Sequence, residues 1–481
     1  MPGFKRSFAR VFLFVVSAFA LVSCATAFAA GKPGKEAALL KKSYRFERAH
    51  WIYVHIEGTP TEIGYQHGWW LAPEIEDALA QYKLSATHRT RRDWAFFRDT
   101  ARNVQWPHIE AEYREELEGI SRGLMAHGVQ IDLWDVVALN AMEEIPDYYV
   151  PWLDKKEKRA GAPHLVAPGN CSAFVATGTW TRDHKPVIAH NNWTSFMSGE
   201  RWRIIFDITP THGQRMLMDG FPGVIASDDD FGINAAQLAV TETTITGFEA
   251  FDPDGAPEFV RARKALQYAT SIDEYVAIML KDNNGGYAND WLIADYKTGE
   301  IAQFEIGLKK HRVWRTKDGY FAGSNFASDP ALIKEETTFD PEKSGSSPNA
   351  RHRRWDELLT ENKGKIDAAL AQTFLADHHD AHDPADGKNE RTLCGHVNLS
   401  PRGVPEWESP PYSPDGAVNA KAIDSNLASR MSLVARTGFP CGEDFLAEQF
   451  LRAHPEFEWQ RPVLRDMKGN PWAEFRMGDK K

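Results

Sequence analysis

The feature that most constrains this chain is the segment Gly169-Asn170-Cys171-Ser172-Ala173-Phe174, which opens a strand-like stretch just after a basic run punctuated by Pro and Gly. It reads as a self-cleavage point. Breaking the Asn170–Cys171 bond would give Cys171 a free α-amine, so nucleophile and general base would sit on one residue. The chemistry that arrangement implies is hydrolytic.

At 481 residues the chain is long enough for two or three units or one large multilayer unit, and 16 Trp, 27 Phe and 13 Tyr supply bulk for a core. A formal charge of −11, with only short basic stretches such as Arg351-His352-Arg353-Arg354, argues against nucleic acid as a partner. The N-terminus carries Lys5, Arg6 and Arg10 ahead of the apolar run Val11–Val22, an export signal too short to span a bilayer as a helix. Two processing outcomes remain open for residues 1–29. Leu21-Val22-Ser23-Cys24 matches a lipoprotein box ending at residue 23, which would anchor Cys24 to a membrane surface, and Ala27-Phe28-Ala29 matches ordinary cleavage. Either outcome places the protein in the periplasm or cell envelope. With Cys24 in the export region, Cys171, Cys394 and Cys441 remain, and the simplest allocation bridges Cys394 to Cys441 and leaves Cys171 free.

Residues 30–170 read as an α-rich N-terminal chain. Ile109, Tyr113, Leu117, Ile120 and Leu124 recur at spacings of three and four, Leu133 to Met142 continues in the same manner, and an exposed linker falls at about 154–170. Residues 171–481 read as a β-rich catalytic chain. Strands are expected at Ala173–Thr177, Pro186–His190, Trp202–Ile208, Gly223–Ala226, Gln237–Thr241, Trp291–Asp295 and Ile301–Ile306. Helices are expected at Glu258–Thr270, Ile272–Leu280, Ala350–Thr360 and Ile366–Ala376, and strands followed by helices favour an α+β fold.

If residues 171–178 and 185–193 pair as a hairpin, His190-Asn191-Asn192-Trp193 returns opposite the cysteine. A thiol at its reference pKa near 8.5 is only a few per cent thiolate at neutral pH, so an α-amine or imidazole must accept its proton. Neutral donors must then meet the developing oxyanion, and Asn191, Asn192 and Asn289 are candidates. A buried structural cysteine beside capping asparagines would leave the same pattern. Gly119-Ile120-Ser121-Arg122-Gly123 matches G-x-S-x-G, but it continues a helical pattern where a nucleophile elbow needs a strand. No metal is expected: His378-His379-Asp380-Ala381-His382-Asp383 reads as a polar helix cap and loop, and Asp228-Asp229-Asp230 as a turn. Glu242-Thr243-Thr244 follows a strand and fits either a cleft or an ordinary strand end.

Taken together, the blocks Cys171-Ser172-Ala173, Ala189-His190-Asn191-Asn192-Trp193, Phe221-Pro222-Gly223 with Asp229-Asp230-Phe231, Thr241–Ile245, Asn289–Lys297 and Ser347–Arg351 resemble the phospholipase B-like family of N-terminal-nucleophile hydrolases. The α-rich half is also similar to the penicillin acyltransferase branch. The resemblance implies a four-layer αββα sandwich, autocatalytic cleavage between Asn170 and Cys171, two chains that stay associated, and no cofactor. It makes Cys171 the nucleophile, His190 and Trp193 pocket residues and Asn289 an oxyanion donor, with Thr243 and Arg351 near the site. Two positions depart from the family's pattern: Asn192, where Thr is common, and Asn170 before the nucleophile. The substrate class implied is a phospholipid acyl ester. An N-acyl amino acid, peptide or β-lactam amide is the alternative, and a lipid-binding protein with a vestigial cysteine is a third.

Overall fold

The computed structural model describes residues 38–163, 165, 171–229 and 231–480. Cys24, Asn170 and Asp230, and with them the export segment and the scissile bond, lie outside the described residues. The strands in chain order are β1 (Tyr44–Arg48), β2 (Trp51–Gly58), β3 (Ser172–Thr177), β4 (Val187–Ser195), β5 (Ile204–Pro210), β6 (Met216–Gly220), β7 (Gly232–Asn234), β8 (Leu238–Thr244), β9 (Asn289–Asp295), β10 (Glu300–Ile306), β11 (His311–Thr316), β12 (Gly319–Gly323), β13 (Asp415–Ile423), β14 (Ser432–Thr437) and β15 (Ala473–Arg476). They form a nine-stranded sheet, ordered β1-β2-β5-β6-β7-β8-β9-β10-β11, and a six-stranded sheet, ordered β12-β3-β4-β13-β14-β15.

Both faces of the central strands are buried, so their side chains divide between two cores. β2 sends Ile52, Val54 and Ile56 into one core and Trp51 and Tyr53 into the other, and β9 divides Trp291 and Ile293 from Leu292 and Ala294. The first core lies under an outer helical layer of α1 (Pro60–Trp70), α2 (Ala72–Thr90), α3 (Ala111–His127), α4 (Leu133–Asn140), α5 (Glu258–Tyr268) and α6 (Ile272–Leu280). The second lies between the sheets and continues to α7 (Ser347–Glu361) and α8 (Ala368–Leu375), where Phe174 of β3 meets Trp355 at 5.2 Å and Phe374 at 6.0 Å between ring centroids. The layers are therefore α, β, β, α, as expected. Among the described residues no helix is long and apolar enough to cross a membrane.

The G-x-S-x-G match is a helix contact. A Cβ on Gly119 would lie 2.7 Å from Thr61 O and one on Gly123 2.2 Å from Tyr65 O, while Gly64 and Gly68 of α1 press equally close on Glu116 O and Ile120 O. Four glycines thus let two backbones touch, and Ser121 Oγ donates to Ile131 O at 3.1 Å.

The helix α6 has the bounds expected from sequence, and the other expected helices differ by a few residues. Three differences have physical causes. The N-terminal part is not helical throughout, because β1 and β2 form one edge of the large sheet and β2 runs parallel to β5, with Ile52 opposite Ile204. Gly223–Ala226 is not a strand: its polar groups are met by side chains, with His67 Nε2 accepting from Gly223 N at 3.0 Å and Asn140 bonding both Gly223 O and Ile225 N. Regular helix also persists over Val150–Glu157, four residues into the expected linker, before Lys158 turns left-handed at φ 52°.

Candidate active site

The expected hairpin forms, with Ser172 opposite Asn191 and Ala173 opposite His190. Cys171 immediately precedes β3, is fully buried, and has φ 87°, a left-handed conformation that a non-glycine residue rarely adopts. Arg351 holds it there. From α7, Nη1 donates to Cys171 O at 2.7 Å, Nη2 to Asn325 Oδ1 at 2.8 Å and Nε to Ser347 Oγ at 3.0 Å. Asn325 in turn donates to Thr244 O at 2.7 Å, and Thr244 pairs with Asn289 in the β8–β9 ladder. The strand that carries the cysteine and the opposite sheet are thus tied through one guanidinium.

The Cys171 thiol donates to Glu242 Oε1 across 3.8 Å, and the reactive atoms of Cys171, His190 and Glu242 all lie within 4.8 Å of one another. Burial, then the charges of Glu242 and Asp229, push the thiol well above its ordinary pKa. Burial, aided by the Lys421 charge, pushes His190 well below its own, which leaves a neutral imidazole. Tyr287 donates to Glu242 Oε1 at 3.0 Å and orients it. Beneath them lies a fully buried cluster: Lys421 Nζ is 2.6 Å from Asp219 Oδ2 and bonds Asp229, while Ser227 Oγ sits 2.8 Å and 2.9 Å from those two carboxylates. Burial and the neighbouring Asp229 push Asp219 towards its neutral form, whereas the Lys421 charge and hydrogen bonds from Asp219 and Lys421 overcome burial to keep Asp229 charged. Asp229 is therefore more than part of a turn, since it projects negative charge on the imidazole and the thiol.

Asn289 opens β9 fully buried, with neither amide atom hydrogen-bonded among the described residues. Thr243 packs over Gly323, where a Cβ would fall 2.4 Å from its Oγ1, and Gly323 pairs with Ala173 two residues from Cys171. Asn191 is corrected as an oxyanion donor: its amide nitrogen already serves Leu375 O at 2.8 Å and Leu393 O at 3.0 Å, so it fastens β4 to the loop behind it. Trp193 donates its Nε1 to Leu393 O at 3.3 Å and carries the Arg351 guanidinium 4.4 Å above its ring. Trp193 also forms a wall of a cleft of about 390 Å³, lined by Tyr82, Met142, Trp407 and the acidic Glu143, Asp147 and Asp415.

Sequence reasoning left the roles of Glu242, Asp219, Asp229, Tyr287, Asn325 and Lys421 unassigned. Glu242 carried a signal, as the one charged residue of the fully buried strand β8, but its partner lies 71 residues away. The Cys394–Cys441 bridge is also corrected. Both are free thiols, and they converge with His378 and His396. Of the histidine-rich stretch only His378 joins that cluster, whereas Asp380 accepts from Arg391 Nε at 2.7 Å and Asn389 Nδ2 at 3.0 Å.

Four layers with a cysteine heading a strand of one inner sheet define the N-terminal-nucleophile hydrolase class of fold. The chain belongs to the phospholipase B family, whose profile matches residues 77–320. Phospholipase B-like 1 of Caenorhabditis elegans is 25% identical over 350 residues, covering 65% of this chain and 59% of the nematode protein. Phospholipase B-like protein F of Dictyostelium discoideum is 32% identical over 143 residues, covering 28% of this chain and 25% of that protein. The matched stretches thus span less than two thirds of either relative. Among solved structures, penicillin V acylase from Agrobacterium tumefaciens aligns at 12% identity and a TM-score of 0.33, covering 56% of this chain and 83% of that one.

Proposed function

We propose that this chain is an exported, self-processing hydrolase that cleaves phospholipid acyl esters through a thioester on Cys171. The observation that carries the reading is the setting of Cys171: buried, left-handed, clamped at its carbonyl by Arg351, with its thiol facing Glu242 and the neutral His190. A left-handed L-residue is disfavoured by roughly 1–2 kcal/mol, and cutting the bond ahead of it releases that strain. Sulfur attacks the Asn170 carbonyl carbon, the thiol proton passes through Glu242 or His190 to the Cys171 nitrogen, and the C–N bond breaks. Water hydrolyses the resulting thioester and leaves a free α-amine.

In the mature enzyme that amine takes the thiol proton as sulfur attacks an acyl carbonyl, with the Asn289 amide donating to the oxyanion. The proton moves to the leaving alcohol, and water then frees the fatty acid. No cofactor enters. The cleft beside Trp193 favours a lipid with a cationic head group: Trp193, Trp407 and Tyr82 offer aromatic faces, and the four carboxyl groups of Glu143, Asp147, Glu408 and Asp415 outnumber the single Arg89, which is bonded to Asp147. An N-acyl amino acid would bring its own carboxylate against that acidic wall. Export, with Cys24 as a lipid anchor, would bring the cleft to a membrane surface.

The test supplies purified mature protein with a phosphatidylcholine and with an N-acyl amino acid and measures fatty acid released from each, alongside N-terminal sequencing. The expected result is a chain beginning at Cys171 that releases fatty acid from the phospholipid. An unbroken chain that still turns over lipid, or lipid bound without turnover, would overturn the reading.

A further inference from the structure

A second cluster lies outside the hydrolytic site and does not depend on that reading. His378 follows α8, Cys394 and His396 stand further along the same loop, and Cys441 lies in the turn after β14. One ligand atom from each, Nε2 or Sγ, falls within 4.8 Å of the other three. His396 Nε2 is 3.2 Å from His378 Nε2, 3.5 Å from Cys394 Sγ and 3.7 Å from Cys441 Sγ. A tetrahedral zinc ion with Zn–N near 2.05 Å and Zn–S near 2.3 Å spaces its ligands about 3.3 Å from N to N and about 3.6 Å from N to S. The three measured edges fit that tetrahedron.

The geometry points to a structural zinc site of composition Cys2His2, formed by His378, Cys394, His396 and Cys441, that locks the 376–397 loop to the turn after β14. A disulfide would account for the two sulfurs but not for two imidazole nitrogens converging on the same point. Two thiolates and two imidazoles suit a borderline-soft, tetrahedral divalent ion, and four protein ligands leave no open position for catalysis. Binding displaces both thiol protons, and the two negative sulfurs balance the ion's charge. The surroundings orient the ligands: His396 stacks on Phe439 with ring centroids 4.1 Å apart, its backbone N–H donates to Asn389 O at 3.1 Å, and Cys394 N donates to Asp377 O at 3.0 Å.

The site also reaches the cleft wall. Leu393, next to Cys394, accepts from both Asn191 and Trp193. Gly395, between two ligands, lies so close to Trp193 that a Cβ there would fall 2.1 Å from Cζ2 of the indole. The zinc site is thus a clip that positions Trp193 from behind.

Native mass spectrometry and elemental analysis of the full processed chain test the assignment. The expected result is one zinc per chain, with Cys394 and Cys441 shielded from thiol reagents until a strong chelator is added. Cobalt substituted for zinc should show thiolate-to-metal charge-transfer and tetrahedral d–d absorption. Because His378 is only half-buried, His378→Ala should fold and lose zinc at least tenfold more readily. If Cys441→Ser does not fold, this variant carries the test. A zinc-free protein two hydrogens lighter through a Cys394–Cys441 disulfide would overturn the proposal. So would free thiols that take up no added zinc, or zinc retained unchanged by His378→Ala.

Discussion

The Cys171 thiol and the Glu242 carboxylate face each other across the two sheets, 3.8 Å apart, with Tyr287 fixing the carboxylate from behind. A neutral, buried thiol needs a proton acceptor before it can attack, and general bases contribute about 10²–10⁴-fold. Glu242→Gln keeps the shape and removes the acceptor. Internal cleavage, followed by gel electrophoresis after synthesis, should slow by roughly 100-fold while circular dichroism stays unchanged. Cleavage at the parental rate would remove Glu242 from the mechanism.

Cys171→Ala should give one uncut polypeptide, and Cys171→Ser should cut slowly or not at all, because a serine hydroxyl is far harder to deprotonate than a thiol. Intact mass is the readout. A normal two-chain product from the alanine variant would show that another agent makes the cut.

Among the described residues nothing bonds the Asn289 amide, so its removal should cost little stability. If it meets the oxyanion, Asn289→Ala should lower turnover by about 100-fold or more and leave processing and thermal midpoint nearly as they were. Unchanged turnover would reject the role.

Burial, together with Asp147, pushes Glu143 in the cleft up to about 8. A cationic substrate binds the ionised form better, so KM for such a lipid should fall as pH rises through that value. The same shift has the opposite sign for stability. Its contribution is fully present below the ordinary glutamate pKa and is lost as pH rises through about 8. Glu143→Gln should flatten both dependences, measured by pH-resolved kinetics and thermal unfolding.

Gly64→Ala would place a methyl group 1.9 Å from Glu116 O at the α1–α3 crossing, where backbone cannot yield as a flexible side chain could. Overpacking typically costs about 1–3 kcal/mol, and thermal unfolding should show a loss at the upper end of that range.

What could be read in the sequence follows from the range of each interaction. The β3–β4 hairpin was legible because turn residues and apolar runs lie within 25 residues of each other, and α6 because Ser271 caps it and its apolar face is periodic. The strand β2 was not, because Trp51 to Ile56 are all buried and show no alternation to distinguish them from a helix segment. Lys421 was hidden for another reason: a lysine in β13 gives no sign that two aspartates some 200 residues earlier will hold it. The zinc ligands share that difficulty, as 63 positions separate His378 from Cys441 and only the fold closes the gap.

The parallel pairing of β2 with β5 has a consequence for the cleavage proposed ahead of Cys171. One strand precedes the proposed cut and the other follows it, yet they share a ladder from Ile52 opposite Ile204 to Gly58 opposite Pro210. Severing the backbone ahead of Cys171 deletes a tether and none of those rungs. The two fragments would therefore travel, purify and melt as one body, and neither expressed by itself would own a complete sheet.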